Sequence, residues 1–143
     1  MQLGTINWLA VLVAGISSFV VGGIWYSPGL FGNIWMKDNG LTVGEVRRKA
    51  KEKIVAWTVL FSLLMAASLA MFLALSKDGC NGCIPAAGMS RGATIGLIGG
   101  IWTFCATAIH SVFEEKTWRL VLINGFYSII SLTMMGAIIG VWR

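Results

Sequence analysis

The sequence predicts an all-α membrane protein, an antiparallel bundle of four transmembrane helices with a short interfacial segment after the first. Three observations carry this. The chain is 57% hydrophobic and only 12% charged, more apolar surface than a water-soluble domain of 143 residues could bury. Its charges are grouped, with no Asp, Glu, Lys or Arg in residues 1–36, 54–76, 92–113 or 120–142. Each of these intervals supplies the roughly 20 apolar residues that a helix needs to cross a bilayer. Tryptophans stand near the ends of the first and last intervals, where membrane interfaces collect aromatic side chains. At this length the chain, residues 1–143, is read as a single domain.

The first helix is expected at about Ile6–Tyr26. No Lys or Arg precedes Lys37, and the stretch ends in Trp25-Tyr26-Ser27-Pro28 rather than in small residues, so it reads as a span and not a cleaved signal peptide. Trp8 and Trp25 would lie roughly 25 Å apart along it. Pro28 stops the helix, and "GLFGNIWMKDN" between Pro28 and Gly40 reads as the interfacial segment, with Phe31 and Trp35 toward lipid or the bundle. Thr42-Val43-Gly44-Glu45 has the pattern of a capping box and starts a basic helix that runs into the second span, about Ile54–Leu75. The third span is expected at Gly92–Ser111. The fourth, Arg119–Trp142, is bracketed by Trp118 and Trp142 and is long enough to tilt.

Lys37, Arg47, Arg48, Lys49, Lys51 and Lys53 in the first loop, with Lys116 and Arg119 in the third, carry most of the formal net charge of +5. The positive-inside rule then puts these loops in the cytoplasm, with both termini outside, in a multi-pass protein of the cell (inner) membrane. Beside a transmembrane helix, a basic run is explained by anionic lipid headgroups, at about 1 kcal/mol per residue. Arg47, Arg48, Lys49, Lys51 and Lys53 are therefore read as headgroup contacts, and nucleic acid is not an expected partner.

Helices in lipid associate through small residues that let backbones approach. Ala14, Ser18 and Gly22 recur at four-residue spacing, as do Ser62, Ala66, Ala70 and Ala74, then Gly92, Gly96 and Gly100, and finally Gly136 and Gly140. So many small faces are more than one chain is expected to fill, which points to a homo-oligomer. "GISSFVVGGIW" (15–25) also aligns with "GATIGLIGGIW" (92–102), a hint of two duplicated hairpins.

No ionisable residue lies in the core of a span and neither Pro28 nor Pro85 interrupts one, which argues against a coupled transporter but not against a passive pore. Polar residues collect at one depth instead. Trp25, Tyr26 and Ser27 end the first helix, His110 and Glu114 end the third on one face, and Asn124 and Tyr127 begin the fourth. Together they are read as a ligand-binding cluster in the cytoplasmic leaflet; the plainer alternative is interfacial snorkelling and helix packing.

Cys80-Asn81-Gly82-Cys83 falls in the outside loop, where a structural disulfide is the expected state, with free thiols or redox chemistry as alternatives. One CxxC cannot complete a four-ligand zinc site, so no metal is expected, and Cys105 is read as packing. No phosphate loop, catalytic triad or haem motif is present, so no cofactor or enzymatic activity is implied. The open functional readings are a small-solute or ion-conducting oligomer and a lipid- or partner-binding structural protein. A thiol–disulfide protein working through Cys80 and Cys83 is a further alternative.

The chain resembles the bacterial and fungal membrane proteins catalogued as domain of unknown function 1761. The resemblance rests on Asn7-Trp8, "WYSPGLFGNIW" at 25–35, Phe113-Glu114, "LIN" at 122–124, Met135-Gly136 and Trp142. It covers nearly the whole chain. Where the family pattern has a Gly-Tyr pair after the Asn, this chain has Gly125 and Tyr127 separated by Phe126, and Cys80 and Cys83 are not part of the pattern. The resemblance implies a four-helix integral membrane protein and no activity. Its motif residues Trp25, Tyr26, Ser27, Pro28, Glu114 and Asn124 fall at the end of the bundle where the polar cluster is expected.

Overall fold

A computed structural model describes residues 6–49, 52–75 and 88–142; the side chains of residues 47–49 and 52–54 lie outside this description. Cys80, Cys83 and Lys51 lie outside the described residues altogether. Among the described residues six helices follow one another: α1 (Trp8–Trp25), α2 (Gly32–Asp38), α3 (Val43–Lys49), α4 (Glu52–Leu75), α5 (Met89–Phe113) and α6 (Trp118–Val141). Four of these contain stretches long and apolar enough to cross a membrane: α1, Val55–Leu75 of α4, α5 and α6. They agree with the expected spans to within a few residues at each end.

Two bonds between distant residues fix the antiparallel arrangement. Asn7 caps α1, its Oδ1 accepting from the Leu9 and Ala10 amides at 3.1 and 3.3 Å. Its Nδ2 donates to the Trp142 carbonyl at 3.0 Å, tying the start of α1 to the end of α6. At the opposite end the Thr117 hydroxyl donates to Asp38 Oδ2 at 2.8 Å, joining the α5–α6 turn to α2. The first and third connections therefore share one end of the bundle, here called the basic end after their Lys and Arg residues.

α6 is the centre of the bundle. It packs on α5 along nearly its whole length, on α1, and more lightly on α4, while α1 and α4 pack on each other. The core lies among Val11, Ala14, Ala66, Leu69, Ala70, Leu73, Ile95, Leu132, Met135 and Ile139. Large apolar side chains such as Trp57, Phe72, Trp102 and Phe113 are exposed around the outside, as lipid-facing residues are.

The small-residue faces are filled within the chain. A Cβ on Gly92 would run into the Gly136 carbonyl, one on Gly136 into the Gly92 carbonyl, and one on Gly96 into the Leu132 carbonyl. Ala14, Ser18, Ser62, Ala66 and Ala70 are buried on the α1 and α4 side. These faces thus find neighbours without a second copy. The hinted duplication does not extend to packing, since α1 meets α6 closely whereas α5, its counterpart, barely meets α4. Trp25 is half-buried, and its counterpart Trp102 is 76% exposed.

The capping box at α3 forms as expected. The Thr42 amide donates to Glu45 Oε2 at 2.8 Å, and the Glu45 amide donates to Thr42 Oγ1 at 3.3 Å. The interfacial segment is a helix, α2, turned toward the bundle: Phe31 packs on Trp25 and Trp35 on Tyr26, with ring centroids 4.6 and 5.7 Å apart.

Candidate functional site

The turn after α1 is built by backbone hydrogen bonds converging on one residue. The Ser27 carbonyl accepts from the Leu30 and Gly32 amides at 3.1 and 2.9 Å, and the Trp25 carbonyl accepts from Phe31 at 3.2 Å. Gly32 fits because no side chain could: a Cβ there would collide with the Tyr26 carbonyl. This folding-back holds Trp25 and Tyr26 against the first turns of α6. The Trp25 indole N–H donates to the Ile123 carbonyl at 3.0 Å, and the Tyr26 hydroxyl donates to Asn124 Oδ1 at 2.9 Å. Consecutive residues of one helix end thus meet consecutive residues of another.

Beside this seam opens a cleft of about 480 Å³ lined by Tyr26, Ala106, Thr107, His110, Ser111, Glu114, Asn124, Tyr127 and Ser128. Its floor is α6, one wall is the end of α1, and the other is the last two turns of α5. It exists because α1 and α5 both pack on α6 without closing on each other. Tyr127 reaches across to α1. Its hydroxyl stands 3.4 Å from both the hydroxyl and the carbonyl of Ser18, and its ring is 5.4 Å from that of Tyr26. Gly22 makes room for it, since a Cβ there would sit 3.3 Å from the Tyr127 hydroxyl oxygen.

The cleft offers donors and acceptors of several kinds. With Oδ1 accepting from Tyr26, the Asn124 amide NH2 remains as a donor. Glu114 and His110 are exposed at the rim and bring a carboxylate and an imidazole to the mouth. The Thr107 hydroxyl donates to the Thr103 and Phe104 carbonyls at 2.9 Å, and Ser128 donates to Asn124 O at 3.1 Å, so these two present oxygens as acceptors.

Of the seven residues expected in the cluster, Tyr26, His110, Glu114, Asn124 and Tyr127 line this cleft together. Two do not. Trp25 turns to the other side of the seam, and Ser27 builds the turn through its carbonyl. Thr107, Ser111 and Ser128 are additional lining residues. Their positions were readable, because Thr107, Ser111 and Glu114 follow one face of α5 and Ser128 stands one turn after Asn124. Of the expected headgroup contacts, Arg47, Arg48 and Lys49 belong to α3 and Lys53 to α4, but their side chains lie outside the described residues, as do Lys51, Cys80 and Cys83.

Residues 9–140 match the family described as "Protein of unknown function (DUF1761)". No curated protein and no solved structure matches the chain. With four helices able to span a bilayer and a family match over nearly its whole length, this chain is a multi-pass integral membrane protein and belongs to the DUF1761 family.

Proposed function

We propose that the protein binds a small polar molecule in the cleft between α1, α5 and α6. The observation that carries this reading is the convergence of Tyr26, His110, Glu114, Asn124 and Tyr127, from three helices, on one cavity. Its volume of about 480 Å³ falls within the range of small-ligand sites. A mixed set of donors and acceptors at the edge of a bilayer suits a solute with several hydroxyl, amide or amine groups rather than a bare ion, which would need a ring of like ligands. The basic loops favour a cytoplasmic mouth and termini outside, in an inner membrane.

Binding is favoured over conduction by what lies beneath the cleft. Ala14, Ala66 and Met135 are each 0% exposed, so a path through one chain would require this core to open. Filling of the small-residue faces inside the chain also means that the reading needs no second subunit.

The test is native mass spectrometry of protein released from nanodiscs prepared from cell membrane, comparing wild type with Asn124→Ala and Glu114→Gln. The expected result is a reproducible non-lipid adduct on wild type, reduced in both variants while their melting temperatures stay near wild type. An adduct that persists undiminished in both variants would move the site elsewhere. Solute flux into proteoliposomes that Asn124→Ala alters would restore the conducting reading.

A further inference from the structure

On the far side of the Trp25–Ile123 seam lies a second cavity of a different character, a groove of about 370 Å³ between α2 and α6. Trp25, Phe31, Ile34, Leu122 and Phe126 wall it, and Arg119 closes one end. The walls present carbon. The one polar atom of the Trp25 ring faces away, bonded to the Ile123 carbonyl, and the Phe31 ring packs on the indole at 4.6 Å. Arg119 is exposed and makes no ion pair or hydrogen bond among the described residues.

We propose that this groove is a specific site for one anionic phospholipid, with an acyl chain between α2 and α6 and its phosphate against Arg119. Depth supports that occupant. Arg119 is the second residue of α6, so a bilayer spanned by that helix would meet it at headgroup level, with Leu122 and Phe126 roughly 5 and 10 Å deeper at the helical rise of 1.5 Å per residue. Charge at the surface with an apolar slot running inward is the outline of a phospholipid. A soluble anion would not use the slot, and a zwitterionic lipid would bring its own cation to the guanidinium. Arginine also suits phosphate through paired N–H donors. The site is distinct from the basic cluster at 47–53 of the first loop and does not depend on the polar cleft.

The probe is a nanodisc of equal parts phosphatidylglycerol and phosphatidylcholine, with lipids retained after release counted by native mass spectrometry. Wild type is expected to keep one phosphatidylglycerol in preference to phosphatidylcholine. Arg119→Gln should reduce that preference about fivefold, the effect of one basic residue near the surface, and Arg119→Lys, which keeps the charge but not the paired donors, should fall between Arg119→Gln and wild type. Leu122→Trp fills the groove without changing charge and should lower retention of both lipids, with the melting temperature of each variant confirming that it is folded. An unchanged preference in Arg119→Gln would assign retention to the basic cluster at 47–53 and overturn the proposal. So would equal retention of the two lipids by wild type, or a second protein chain in place of lipid.

Discussion

Glu115 holds a left-handed backbone conformation, φ +53°, where α5 turns toward α6. The hydrogen bonds around it explain why. The Lys116 amide donates to the Ser111 carbonyl at 3.0 Å and the Glu115 amide to Val112 at 3.1 Å, the paired bonds of a Schellman stop. At the end of α2 the same two bonds, Leu41 to Met36 and Gly40 to Lys37, surround Gly40 at φ +64°, where glycine has no Cβ to strain. The α5 stop uses a residue that pays for this geometry. Glu115→Gly is therefore expected to stabilise the protein by roughly 0.5–1 kcal/mol, the left-handed cost less the greater chain entropy of glycine. Reversible unfolding in mixed micelles of increasing SDS content checks it. Destabilisation would mean that the Glu115 side chain contributes a contact worth more than the strain.

Among the elements, the α5–α6 seam makes the sharpest demand on sequence. Gly99 and Gly100 are adjacent, yet a Cβ on Gly100 would approach the Ile129 Cα at 2.6 Å while one on Gly99 would meet nothing within 4 Å. Gly100→Ala is expected to destabilise the bundle by about 1–3 kcal/mol, the usual effect of overpacking. Gly99→Ala should be neutral or slightly stabilising, because alanine is the better helix former. The same SDS titration separates the two, and equal effects would mean that α5 is rotated about its axis relative to α6. The spacing of Gly92, Gly96 and Gly100 announced a packing face, and the structure uses that face. What the spacing left open was the partner, since a glycine ridge fits the next helix of its own chain as well as a helix of another. The capping box at Thr42 and Glu45 was legible because it is local, complete within four residues.

For the whole molecule, depth was legible and azimuth was not. A helix rises a fixed 1.5 Å per residue, so Tyr26, His110, Glu114 and Asn124 could be assigned to one level before their helices were arranged. Which way each pointed could not be read, because a span is apolar on its lipid side and its protein side alike, and the polar-face signal of a soluble helix is missing. Trp25 shows the consequence: it stands beside Tyr26 at the same end of the bundle, but it faces the apolar groove while Tyr26 faces the polar cleft. Level alone also does not say which side of the membrane holds the cleft mouth. Charge supplies that expectation, through the Lys and Arg residues of the first and third loops. The two ends of α5 test it directly, since Met89 is exposed at one and Lys116 lies just past the other. In a cysteine-free background, Met89→Cys should react with a membrane-impermeant maleimide in right-side-out vesicles, and Lys116→Cys only after the vesicles are opened. The reverse pattern would turn the mouth of the cleft outward, so that Tyr26, Asn124 and Glu114 would meet extracellular rather than cytoplasmic solutes. The groove at Arg119 would turn with it, and its lipid would then be drawn from the outer leaflet, which lacks the anionic-headgroup enrichment that gives the cytoplasmic leaflet its negative surface potential.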